Sequence, residues 1–267
     1  MKKLWINSEM VTNLREKLVG KICGNICEGK GVQFIDGVYH DCACTKEFLR
    51  ELQMIGSGIP SRYFDFDFEH IYQKFEAENT QAIEVIHKYV DNIREMVDGG
   101  VGLFIFGEKG LAKTAFGCLI LKEAIKVGKV AYMLSMSELS SMFRDSISDE
   151  ATQEKLEWIQ NTVEILLIDE IEKDFNVSDT TNYTGSYTNK FFRIIYDRKV
   201  ALIATSNVKM SSLKGRQADN VIDRLQELIL VPFVGKSYRS NEGAERLLLD
   251  VIEKKSKRTG GKHDSKI

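Results

Sequence analysis

Five short apolar runs punctuate the chain between residues 102 and 233: GLFIF (102–106), VAYML (130–134), EILLI (164–168), ALIAT (201–205) and LILVPF (228–233). Their apolar residues follow one another instead of alternating with polar ones, which predicts strands buried on both faces. The segments between them carry helical spacing, with Phe116, Leu119, Ile120 and Ala124 on one face of the first and Phe191, Ile194 and Ile195 marking a later one. Strands alternating with helices predict an α/β fold, a parallel sheet flanked by helices on both faces. Upstream, Ile83, Ile86, Val90, Ile93 and Val97 recur at three-four spacing, which predicts a helix from Asn79 to Val97 that ends at Asp98-Gly99-Gly100. GSGIPSRY (56–63) reads as a linker or turn, and the polar stretch 172–188 is the longest loop candidate. No internal repeat is present.

Composition changes this picture little. The chain has 267 residues, 43% hydrophobic and 28% charged, as expected of a globular protein with one sizeable domain and a smaller module. No apolar run approaches the roughly 18 residues that would span a membrane. The start, MKKLWINSEM, has lysines but no apolar stretch behind them, so no signal peptide is expected and the cysteines should stay reduced in a cytoplasmic setting. Net charge is −2, yet residues 253–267 hold six Lys or Arg against Glu253 and Asp264. Such a tail is either a solvated end or an attraction for a phosphate backbone.

The candidate chemistry lies at the ends of the apolar runs. GEKGLAKT (Gly107, Glu108, Lys109, Gly110, Leu111, Ala112, Lys113, Thr114) follows the first run and precedes a helix. It departs from the phosphate-loop pattern G-x-x-x-x-G-K-[ST] at one position, Ala112. Backbone N–H groups of such a loop surround a phosphate, Lys113 would reach the β- and γ-phosphates of ATP, and Thr114 would ligate Mg2+. The third run ends in Asp169 and Glu170, a Mg2+ anchor and a group that would polarise attacking water. The fourth ends in Asn207, whose amide would orient that water. If the Ala112 backbone needs φ > 0, its Cβ costs roughly 1–2 kcal/mol. Paid only in the bound form, that cost would weaken nucleotide affinity by about 5- to 30-fold. A working but weakened ATP site is the expectation.

Four of the five cysteines cluster as C-x3-C-x14-C-x-C: Cys23, Cys27, Cys42 and Cys44. Two cysteine pairs suit a tetrahedral Zn2+, with His40 near enough to replace one of them, although the spacing departs from the commoner C-x2-C pairs. The alternative is four buried apolar thiols. Cys118, on the helix after the phosphate loop, reads as core.

The ordered series GEKGLAKT, EILLIDE and LIATSN resembles the ATPase core of the AAA+ superfamily. GIPSRYFDFDFE (58–69), VIDRLQE (221–227) and SYRS (237–240) resemble, more narrowly, the DnaC/DnaI-type loaders of the replicative helicase. This likeness implies that Arg224 is an arginine finger entering the neighbouring copy's site, so that the chain self-associates through it, and that Arg239 is the sensor 2 arginine. It implies three parts: a cysteine-rich zinc module that binds helicase (1–57), an AAA+ core (58–240), and a C-terminal helix with a basic tail (241–267). The implied activity is an ATP-dependent switch that delivers a hexameric DNA helicase onto single-stranded DNA, its ATPase weak because of Ala112. Phe143 and Arg144 are candidate DNA contacts, or a core aromatic beside a surface arginine. The ATPase subunit of an insertion-sequence transposase, which shares the core, and a non-hydrolysing helicase-binding adaptor are the competing readings.

Overall fold

The computed structural model describes residues 8–66, 68–173, 183–213 and 219–235. The SYRS stretch with Arg239 and the basic tail lie outside them.

An N-terminal helix, α1 (Ser8–Leu18), leads through tight turns into a hairpin of β1 (Val32–Ile35) and β2 (Val38–Asp41). The strands pair antiparallel, from Val32 opposite Asp41 to Ile35 opposite Val38. Asp36 and Gly37 join them, both with positive φ (49° and 84°), as a two-residue turn that matches the right-handed twist of the strands requires. Next comes α2 (Ala43–Gly56), which buries Phe48 and Leu52 and packs on α5 of the core (Lys113–Lys126). The Gln53 side-chain amide donates to the Lys129 carbonyl across that contact.

The linker that follows lies against the core. Met133 N donates to Ser57 O at 2.7 Å, which covers the outer edge of β4 (Ala131–Ser135). A Cβ on Gly58 would sit 2.2 Å from Met133 O, so only glycine permits this approach. Lys122 of α5 is buried and donates to the carbonyls of Tyr63 (3.2 Å), Phe64 (2.5 Å) and Phe66.

The helix expected from Asn79 continues an earlier one. α3 spans Phe68–Asp91, broken at Asn79 (φ −128°, ψ 23°), and α4 covers Ile93–Asp98. Asn79 is buried because its carboxamide makes two bonds to Val234, donating to the carbonyl at 3.0 Å and accepting from N–H at 2.8 Å.

All five apolar runs are strands of one parallel sheet. They are β3 (Leu103–Phe106), β4, β5 (Ile165–Asp169), β6 (Ala201–Ser206) and β7 (Ile229–Pro232), in the order β4-β5-β6-β3-β7. Parallel register holds throughout, for example Leu103 with Ile203 on one side and Ile229 on the other. The remaining helices are α6 (Met136–Asp145), α7 (Glu150–Thr162), α8 (Tyr183–Asp197) and α9 (Asp219–Leu225). One core lies between the sheet and α3, α4 and α5; the other lies beneath α6 to α9.

The helix after the phosphate loop is more deeply placed than a one-faced pattern implies. α5 buries Phe116, Gly117, Cys118, Leu119, Ile120, Leu121, Ala124 and Ile125. It is held between the sheet and the helices α2, α3 and α4, so both of its sides are apolar. In α8, Phe192 rather than Ile194 joins Phe191 and Ile195 in the core. The stretch 172–188 is loop only in part, since α8 starts at Tyr183. Phe143 is buried against Tyr187 and Phe191, so it serves the core and offers no face to a base, while Arg144 beside it is exposed.

Candidate functional site

The C-terminal ends of β3, β5 and β6 lie side by side, which is where open parallel sheets place their ligand crevice. From β3 the chain turns at Gly107, whose φ of 154° and close approach to the Phe233 carbonyl (2.2 Å from an added Cβ) exclude any side chain. Gly110 (φ 86°) continues the loop, Glu108 and Lys109 face solvent, and Leu111 is buried as its apolar anchor. Ala112 takes the left-handed conformation, φ 55° and ψ 17°, as the residue before α5. The positive φ on which its strain depends is therefore present. The loop leads directly into the N-terminus of a 14-residue helix, whose free N–H groups and dipole favour an anion.

Lys113 is buried, and its ammonium donates to Gly107 O (2.8 Å), Glu108 O (2.7 Å) and Asn207 Oδ1 (3.1 Å). Thr114 Oγ1 donates to Asp169 Oδ1 at 2.9 Å. The loop, the end of β5 and the end of β6 are thus joined by side chains, and the sequence-predicted Lys113, Thr114, Asp169 and Asn207 form one cluster.

Thr205 and Glu172 complete the cluster, and sequence reasoning missed both. The buried Thr205 hydroxyl donates to Asp169 Oδ1 and accepts the Glu170 N–H at 3.0 Å. That bond fixes Glu170 in a left-handed conformation, φ 51°. The Glu170 carboxylate itself pairs with Lys173 at 2.5 Å near the surface. Asn207 Nδ2 donates to Glu172 Oε1 at 2.5 Å. The only sequence signal for these residues was their adjacency to the predicted pair and to Asn207.

Burial raises the Asp169 pKa above the ordinary carboxylate range. Its hydroxyl partners Thr205 and Thr114 work against that shift, and the charges of Glu170 and Glu172 add to it. A divalent cation beside Asp169 and Thr114 would stabilise the ionised form, and oxygen donors of this kind suit Mg2+.

Arg224 lies on α9, with its guanidinium 5.7 Å from the centre of the Tyr196 ring. Tyr196 in turn donates its hydroxyl to Glu227 at 2.8 Å.

The four cysteines converge away from this edge. Their ligand atoms all lie within 4.8 Å of one another, with Cys27 Sγ at 3.5 Å from both Cys23 and Cys44. A Zn2+ tetrahedron with Zn–S near 2.3 Å has sulfur–sulfur edges of about 3.8 Å, so the donor set fits that ion. A hydrogen bond from the Cys27 backbone N–H and the neighbouring thiols draw the Cys23 pKa down to about 6. His40 is exposed on β2 opposite Gln33 and is not part of the group. Gln33 Nε2 instead donates to Cys42 Sγ at 3.3 Å. Cys118 is core, its thiol pKa pushed up to about 12 by burial.

A parallel sheet in this order, with a phosphate-type loop after β3 and an acidic pair at the end of β5, is the AAA+ ATPase fold. No family model matches the chain, and no curated protein matches it in sequence. Solved structures match it in fold. The DnaC helicase loader is 18% identical with a TM-score of 0.56, covering 66% of this chain and 100% of that one. DnaI is 17% identical with a TM-score of 0.50, covering 68% and 93%. The replication initiator DnaA, bound to AMPPCP and single-stranded DNA, is 19% identical with a TM-score of 0.54, covering 76% and 66%. At these identities the likeness establishes the fold. Among the described residues, no helix is long and apolar enough to cross a membrane.

Proposed function

We propose that this chain is a replication-initiation AAA+ ATPase that binds a hexameric replicative helicase and delivers it onto single-stranded DNA. The observation that carries the nucleotide half of this reading is the bonded cluster Lys113–Asn207 and Thr114–Asp169 at the mouth of the sheet. Lys113 would exchange the loop carbonyls for the β- and γ-phosphate oxygens of ATP, and Thr114 and Asp169 would hold Mg2+. Glu170 polarises the attacking water and Asn207 orients it. ATP supplies the phosphoanhydride whose cleavage resets the switch. Arg224 completes the site of the next copy, so turnover is slow in a lone chain and faster when copies meet head to tail. Arg239 is assigned to the same nucleotide from the lid side.

The helicase half rests on the N-terminal module, taken as residues 1–57 ahead of a core of 58–240 and a C-terminal part of 241–267. Its turns and hairpin expose Ile26 (73%), Phe34 (64%), Val38 (56%) and Tyr39 (73%), an apolar surface on a unit that the cysteine cluster, loaded with Zn2+, would hold rigid.

The test uses the full chain with a replicative helicase and single-stranded DNA. Expected are Mg-ATP binding, lost in Lys113→Ala, recovery of the helicase with the chain, and ATP turnover that rises in the mixture. Recovery of a transposase instead of the helicase would end the loader reading. Helicase binding without any ATP binding would leave an adaptor.

A further inference from the structure

Glu172 combines two features that ordinary packing does not account for. Its Oε2 is buried and has no hydrogen-bond partner among the described residues, which is costly for a carboxylate. Its charge also opposes ionisation of Asp169 beside it. Its other oxygen, Oε1, accepts from the Asn207 amide.

The Asn207 carboxamide has one end that only accepts hydrogen bonds and one that only donates. Oδ1 faces the Lys113 ammonium and Nδ2 faces the Glu172 carboxylate. Flipping the amide would set N–H groups against an ammonium and a carbonyl oxygen against a carboxylate, unfavourable on both sides. A single rotamer is therefore held by two opposite charges. Nδ2 carries two hydrogens; one meets Glu172, and the second can donate to a further oxygen. Without Glu172 the Lys113 contact is the polar restraint that remains among the described residues, and Lys113 is also bonded to two loop carbonyls.

We propose that Glu172 is a positioning residue, which locks the Asn207 amide with its donor end presented to the nucleotide crevice. The proposal rests on the nucleotide reading for its catalytic consequence, but not for the lock itself.

Two measurements on the full chain separate these. The Asn207 side-chain NH2 resonances, identified by their loss in Asn207→Ala, should report a rigid amide in the wild type and in Glu172→Gln, whose carbonyl still accepts. In Glu172→Ala they should report a mobile one. In steady-state ATP hydrolysis, Glu172→Ala should lower kcat on the order of tenfold with KM within about twofold, as loss of an orienting partner does. Glu172→Gln should keep kcat, and Glu172→Ala should add nothing in the Asn207→Ala background. An Asn207 amide equally rigid in Glu172→Ala overturns the lock, as does equal loss of kcat in the Gln and Ala variants. A wild type that neither binds nor hydrolyses ATP ends the nucleotide reading, and the resonances alone then decide the lock.

Discussion

Ala112 stands where a phosphate loop ordinarily has glycine, and its φ of 55° makes the effect of restoring that glycine calculable. An L-residue pays roughly 1–2 kcal/mol for the left-handed region, and glycine does not. Glycine also gains freedom in the unfolded chain, which offsets about 0.5–1 kcal/mol of the relief. Ala112→Gly should therefore stabilise the fold by up to about 1.5 kcal/mol, a rise in Tm of up to about 6 °C for a chain of this size. The strain belongs to the folded loop, whose carbonyls at Gly107 and Glu108 already bind Lys113 in that conformation. The Kd for Mg-ATP should then stay within about twofold, because free and bound protein bear the same strain. Thermal unfolding and calorimetric titration of both proteins read the two quantities separately. A drop in Kd of fivefold or more with no change in Tm would refute this reasoning, since it would mean that φ turns positive only on binding.

Thr205→Val should lower stability by about 1–3 kcal/mol, because the Glu170 N–H loses its buried acceptor and Asp169 one of its donors. Thr205→Ser keeps both bonds and should recover most of that loss in chemical denaturation. Purified chain should carry about one Zn2+ per molecule, measured by metal analysis. Cys27→Ser or a strong chelator should remove it and expose the N-terminal module to protease while leaving nucleotide binding intact, because the two sites share no residue.

The sheet was legible because each strand is a continuous apolar run, buried on both faces, and such runs stand out against charged helices. The loop, Asp169 and Asn207 were legible because they follow those runs at strand ends. Thr205 and Glu172 were not, since their roles come from parallel pairing that sets β6 beside β5 and from an amide reaching across it. The break at Asn79 escaped for a similar reason: its cause is Val234, 155 residues away. The hairpin has its sequence signal in Asp36-Gly37, a standard two-residue turn, but strands of four residues are too short for a pattern to show on either side of it. Helical spacing on α5 is legible, yet a helix buried along most of its length carries too few polar residues to show how much of it the core takes.

Lys122 has exchanged water for the carbonyls of Tyr63, Phe64 and Phe66, and it sits on the same rod as Lys113 and Thr114. Pulling the strap away would take three carbonyl acceptors from a buried ammonium, so strap and rod are held to one another. A tilt at the head of α5, some 14 Å along its axis from Lys122, would reach residues 63–66 through those bonds.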